Sequence, residues 1–340
     1  MMFYSSSNSM EKVSTTTIEN SSAVKSPPEH RRPADQTFLT YPEWFLVYSP
    51  EEFAIFSERK KTPDQFPFFG HIGQFWQAYK AVYGHIKNKY TFNTGYHVMI
   101  MVIGVSTTVE YTLRTCYEKV FGRMSYLLSS GSLTDEDAYA ATVAREYVDF
   151  IKVRPWYEFD FKSRISRLWS LPATGANMIR KWERRYILTS DYGVKTVYGW
   201  IIMKMTKASY DEALTVTSVV ADNDTNVDVT KIQKLESYPD GSVLMLLPRY
   251  DAFKDNALTM ARAGINFTEI AGNKGDIMVT YLVPESFQKT DSVSSVLFTQ
   301  PILTDPSVKR IALVMAVQEL CTVLRNYDTP MIKLEHVYDF

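Results

Sequence analysis

From Tyr90 to Val109 the chain runs for twenty residues without a formal charge, about the length that crosses ~30 Å of hydrocarbon. Its opening, YTFNTG, reads as a turn, so only residues 98–109 are strongly apolar, a run typical of a core helix or a re-entrant segment. On a helical wheel Val98 to Val105 are apolar all round, which demands burial on every side, in protein or in lipid. Gly104, Ser106 and Thr107 offer a small-residue face for close helix contact. Glu110 follows, with Arg114 four residues on, the favourable orientation for a helical ion pair. Lys87 and Lys89 precede the run while Arg114, Lys119 and Arg123 follow it, so basic residues assign no inside.

The surrounding chain reads as helix and loop from residue 38 to 210. LTYPEWFLVYSPEEFAIF carries two successive capping-box patterns, Thr40 with Glu43 and Ser49 with Glu52, with Pro42 and Pro50 in first turns, and predicts two short helices. GHIGQFWQAYKAVYGHI predicts another, and the apolar helix continues through LRTCYEKVFGRMSYLLSS to Gly131. LTDEDAYAATVAREYVDFI starts on Thr134 as N-cap, with acids in the first turn facing the positive dipole end and Leu133 placed to staple onto Ala138. VRPWYEFDF puts Arg154, Glu158 and Asp160 among aromatics, either a cleft lining or a packed linker. KSRISRLWS and a long segment from about Asn177 to Ala208 complete the helices.

Beyond about residue 213 the period changes. SVLMLLPR reads as a buried strand, YDAFKDNALTMARAG as a helix closed by Gly264, and INFTEIAG with DIMVTYLVP as two strands joined by a Gly-Asn-Lys-Gly turn. VLFTQPIL and KRIALVMAV are further strands, VQELCTVLRNYD a helix, and MIKLEHVYDF a last alternating strand. No short-period repeat is visible. The predicted fold is a disordered tail over 1–36, a helical domain over 37–210, and an α+β domain over 211–340. That last domain is an antiparallel sandwich resembling the ferredoxin-like arrangement.

Composition narrows the function classes. Basic and acidic residues number 37 and 38, so no global field favours nucleic acid. Two cysteines, Cys116 and Cys321, make no secreted disulfide framework. The N-terminus lacks the apolar core of a signal peptide, and whether Met1 or Met10 starts the chain is open. Asn20, Asn223 and Asn266 head short glycosylation patterns that arise by chance. These features point to a cytoplasmic, non-secreted protein, either free, at the cytoplasmic face of a membrane, or embedded in one.

Two sets of residues are candidates for function. Arg180, Lys181, Arg184 and Arg185, with Trp182 and Trp200, resemble a surface-lying amphipathic helix that meets anionic headgroups; a solvated basic face on a bundle is the plainer reading. His71, His97, Glu110 and Glu118 could assemble a carboxylate-histidine metal or proton-transfer site of the kind bundles build in their cores. No Glu-x-x-His or His-Glu-x-x-His spacing fixes metal geometry, so no metal and no cofactor is assigned. AGNKGD could form an anion-binding nest but reads more simply as a hairpin turn. Phosphate-loop, dinucleotide and serine-elbow motifs are absent.

The stretches LTYPEWFLVYSPEEFAIF, FPFFGHIGQFWQAY, GYHVMIMVIGVSTTVEY, RPWYEF, RKWERR, EIAGN and LEHVYDF resemble those of a family of uncharacterised bacterial proteins. The resemblance covers most of the chain beyond residue 38 and implies a bacterial, non-secreted protein, without an activity, cofactor or catalytic residue. The leading expectation is a membrane-associated protein whose α+β domain binds a partner or small ligand. An enzyme with the carboxylate and histidine site is the alternative, and a soluble structural or interaction protein the third.

Overall fold

A computed structural model describes residues 24–209, 216–223 and 232–339. The expected tail up to residue 23 and the expected boundary at 210/211 lie outside these residues. Residues 24–35, assigned to the tail, are packed: the backbone N–H of buried Ser26 donates to Glu269 at 2.7 Å, and Lys25 Nζ donates to Asp240 at 2.6 Å.

Instead of two short helices, one helix, α1 (Gln36–Glu58), contains both Pro42 and Pro50. The hydroxyls expected to cap are used elsewhere: Thr40 donates back to the Gln36 carbonyl, and Ser49 bonds the Tyr111 hydroxyl. Each internal proline costs about 3 kcal/mol. Burial of Phe38, Leu39, Tyr41, Phe45 and Tyr48, at about 1.5–3 kcal/mol for a large apolar side chain, outweighs it.

α2 (Phe68–Ile86), α3 (Thr94–Tyr117), a π-helical turn (Glu118–Gly122), α4 (Arg123–Leu128), α5 (Asp135–Ile151), α6 (Phe161–Trp169) and α7 (Met178–Ser209) follow. α3 crosses α2 at Gly104, where an added Cβ would fall 2.4 Å from Phe75 and 2.8 Å from Trp76. The small-residue contact is therefore made by Gly104 and buried Thr107, whereas Ser106 is exposed. The linker before α6 is packed, with Phe159 buried and Asp160 accepting from the Ser163 N–H at the start of α6.

The C-terminal region is α+β. Its strands β1 (Val216–Ala221), β2 (Gln233–Ser237), β3 (Val243–Pro248), β4 (Phe267–Ile270), β5 (Asp276–Pro284), β6 (Ser295–Pro301), β7 (Val308–Ala316) and β8 (Lys333–Val337) form two antiparallel sheets, ordered β2-β3-β1-β4 and β6-β7-β5-β8. Helices α8 (Asp251–Arg262) and α9 (Leu320–Asn326) precede β4 and β8. The two sheets thus repeat one βββαβ topology, an order that no short-period pattern in the sequence exposes. The Gly-Asn-Lys-Gly segment is not a hairpin between paired strands: β4 pairs with β1, β5 pairs with β7 and β8, and the segment joins the sheets.

β5 is buried on both faces, which explains its nearly unbroken apolar run. Ile277, Val279, Tyr281 and Val283 enter a core shared with the other sheet, α8 and α9. Met278, on the opposite face, joins α1, α2 and α3 in a second core together with Ala312, Val314 and Tyr338. The helical and α+β regions therefore share a core. Tyr48 and Tyr338 hydroxyls meet at 2.6 Å across it, and Tyr41 donates to Gln300 at 2.6 Å.

Candidate functional site

The basic run of α7 does not face solvent. Arg180, Lys181, Arg184 and Arg185 are all buried, each against an acid. Arg180 bonds Asp137 at 2.7 Å, Lys181 Asp135 at 3.4 Å, and Arg185 Glu136 at 2.9 Å. Arg184 forms a two-pronged pair with Glu118, both bonds 2.9 Å, and also bonds Glu183. The reading of these four cations as headgroup contacts is corrected: the first-turn acids of α5 and the turn after α3 neutralise them inside the fold. Burying a charge requires such a partner. Two charge clusters visible in the sequence, Asp135-Glu136-Asp137 and Arg180-Lys181-Arg184-Arg185, are thus each other's complement. Trp182 and Trp200 remain exposed at 47 % and 56 %.

The π-helical turn makes room for this contact. Gly122 sits where an added Cβ would lie 2.3 Å from Glu118 Oε2 and 3.0 Å from Arg184. Its carbonyl accepts from Arg180 at 2.8 Å. Burial alone raises the Glu183 carboxyl, but Arg184, Ser125 and Arg180 hold it below the ordinary range.

Above this ionic floor, α3, α5 and α7 and the end of α1 enclose a groove of about 1210 Å³. Val105, Val109, Leu113, Ala138, Ala141, Ile187 and Val194 contribute apolar wall, and Glu110, Arg114, Asp191 and Lys195 charge. The expected Glu110–Arg114 pair does not form. Glu110 bonds Lys195 at 3.2 Å, Lys195 bonds Asp191 at 3.0 Å, and the Arg114 guanidinium lies 4.4 Å over the Phe53 ring. Burial by itself disfavours the Lys195 charge, yet Asp191 and Glu110 hold the ammonium above the usual lysine range. Burial likewise raises Asp191, and Lys195 and Arg114 bring it below its ordinary value. In the sequence Lys195 reads only as one of the basic residues of the long helix and Asp191 is passed over, although their i,i+4 spacing on a predicted helix was a readable signal.

Of the four residues expected to form a carboxylate-histidine site, Glu110 and Glu118 line the same groove, each paired with its own cation, while His71 and His97 lie outside it. His71 is stacked on Phe66 at 4.7 Å and lies 3.5 Å from Glu52. His97 bonds the Tyr79 hydroxyl at 2.9 Å and stacks on Phe92 at 4.3 Å. Glu110 belongs to Lys195 and Glu118 to Arg184. Burial depresses His71 to about 3, with Arg310 adding to the effect. Among the described residues no group of three or more His, Cys, Asp or Glu is placed to hold a metal ion.

α3 itself is inverted. Its inward strip is His97, Ile100, Gly104, Thr107, Tyr111 and Thr115, largely small or polar. Val98, Val102, Val105, Val109 and Leu113, spaced as a helical stripe, face outward at 51–66 % exposure. The all-round burial expected of Val98 to Val105 is therefore met on one side only. The outward stripe continues past the π turn through Val120, Phe121, Met124 and Leu128, and α7 adds Ile179, Tyr186, Val194 and Val197. Tyr117 and Tyr186 rings stand 6.5 Å apart where the two helices adjoin. No helix among the described residues is long and apolar enough to cross a membrane. No family model, curated protein or solved structure matches the chain.

Proposed function

We propose that the chain, bacterial as its resemblance implies, is a peripheral membrane protein that docks on a lipid surface through the outward faces of α3, α4 and α7. The observation that carries this reading is the inversion of α3: its inward strip is largely polar or small while four valines and a leucine face out. Soluble surfaces rarely present an apolar patch beyond a few hundred Å², and larger ones mark interaction sites. Exposed Trp169, Trp182 and Trp200 and exposed Lys119 and Arg123 border the same helices. Aromatic and basic flanks of this kind suit the headgroup layer.

Burying the five outward residues of α3 contributes roughly 4–8 kcal/mol, taking ~1.5–3 kcal/mol for full burial of each and about half of each as newly buried. That is enough for association without a span. The α+β region, in this reading, is carried by the docked helices as a partner- or ligand-binding platform. What supports the ferredoxin-like likeness is a split strand-helix-strand unit in each sheet, β3-α8-β4 with β1 between its strands and β7-α9-β8 with β5 between its strands. The enzyme alternative has less support, because neither His71 nor His97 lines the groove that Glu110 and Glu118 share, and both carboxylates are already paired with cations.

Flotation tests the docking. Full-length protein mixed with vesicles containing phosphatidylglycerol should rise with them through a density gradient; protein left at the bottom contradicts the proposal.

A further inference from the structure

We propose that the groove between α3, α5 and α7 holds an acyl chain of an anionic phospholipid, with the headgroup phosphate against Lys60 and Lys61. This rests on the peripheral-membrane reading and adds a defined ligand to it. Three observations lead there. The groove volume of about 1210 Å³ exceeds the ~300–1,000 Å³ usual for small-molecule pockets. Along α3 from Val105 to Tyr117 the wall is roughly 18 Å long at ~1.5 Å per residue, comparable with half of a ~30 Å hydrocarbon core. The reach of a chain in one leaflet is thus matched.

The groove is also continuous with the docking face. Val105, Leu113 and Val194 line it and are exposed on the outward side, so a chain enters sideways from a leaflet without crossing a polar barrier. The other charges lining the groove are already answered: Lys195 by Glu110 and Asp191, Arg184 by Glu118, Arg114 by the ring of Phe53, and the acids Glu58, Asp135 and Asp137 by Arg145, Lys181 and Arg180. Lys60 and Lys61 differ. Both line the groove and are exposed, and no ion pair to either occurs among the described residues. Lys60 moreover has φ 56° just past the end of α1, a position where glycine or asparagine is preferred.

Native mass spectrometry of the full chain, after incubation with phosphatidylglycerol vesicles and re-isolation, should show one bound phospholipid. Ala138→Trp and Ala141→Trp, which fill the groove from its α5 wall and leave the outward residues Val98, Val102, Phe121 and Met124 in place, should lower occupancy at least tenfold while flotation persists. Lys60→Gly with Lys61→Gln should leave the melting temperature equal or higher and abolish the preference for phosphatidylglycerol over phosphatidylcholine. A phosphatidylglycerol with a photoreactive group in its chain should label groove residues in the unaltered protein, a result that requires no variant to fold. Flotation without bound lipid, or labelling confined to outward residues that do not line the groove, such as Val98, Val102, Phe121 and Met124, overturns the groove site alone. Absence of flotation overturns the docking reading first.

Discussion

Glu136→Gln should destabilise the helical region sharply. Glu136 is fully buried, and its Oε1 accepts from Arg185 Nε at 2.9 Å. Arg185, 2 % exposed, otherwise has only the Leu171 carbonyl at 2.8 Å and the rings of Trp169 and Trp182, 5.8 Å and 5.7 Å from its guanidinium carbon. Breaking a buried pair leaves an uncompensated charge at about 3–5 kcal/mol. The ring contacts, about 0.5–1 kcal/mol each, persist in the variant and do not offset that loss. With a urea slope of about 2 kcal/mol per molar, the midpoint falls by roughly 2 M. The assay is urea unfolding followed by tryptophan emission, since Trp169 and Trp182 flank the guanidinium and report on its surroundings. Replacing both members, Glu136→Met with Arg185→Met, should recover all but about 1–2 kcal/mol, because an apolar pair removes the desolvation cost as well as the attraction. A loss below about 1 kcal/mol in Glu136→Gln, or a double variant as unstable as the sum of the singles, would refute the view that α7 is pinned by buried charge.

Three further outcomes follow from other contacts. Gly104→Ala sets a methyl against Phe75 and Trp76; overpacking of about 1–3 kcal/mol less a helix-propensity gain of about 1 leaves a net loss of ~0–2 kcal/mol, and a stability gain in chemical denaturation would contradict the close crossing. Glu52 is raised to about 7 by burial, against the opposing pull of Arg310 and with Glu335 and Glu51 adding to the rise, while His71 faces it from α2. A raised carboxyl contributes stability that is full below its ordinary value of about 4.5 and is lost as pH rises through about 7. Between pH 4.5 and 7.5, Glu52→Gln should therefore gain on the unaltered protein by on the order of 3 kcal/mol, and a difference that does not change with pH would count against it. Val102→Asp with Val109→Asp removes two outward contacts of about 1 kcal/mol each and should weaken vesicle binding by at least about 30-fold; unchanged binding in a co-sedimentation titration would separate α3 from the lipid.

The sequence was most informative where local chemistry decides. Thr134 starts α5 with the Asp137 carboxylate accepting from its backbone N–H at 3.0 Å, and Gly264 ends α8 with φ 83°. Helix and strand periods placed most of the remaining elements. What the sequence left hidden depends on neighbours distant along the chain. The prolines of α1 are overruled by burial against the sheet of β5 and β7. β1 is short, buried and without alternation, and exposed β2 is defined only by its pairing with β3. The basic face of α7 is amphipathic by pattern, yet its orientation depends on acids more than forty residues earlier. The apolar stripe of α3 was visible; which side faces out was set by Gly104 meeting Trp76.

The central claim is that apolar faces, rather than basic residues, attach this protein to lipid. Flotation of the full chain with phosphatidylglycerol vesicles at 0.1 M and 1 M salt tests it most directly, because the screening length falls from about 10 Å to about 3 Å between them. The account predicts co-flotation at both concentrations. Protein that stays at the bottom in both, or that is released by high salt, would contradict it.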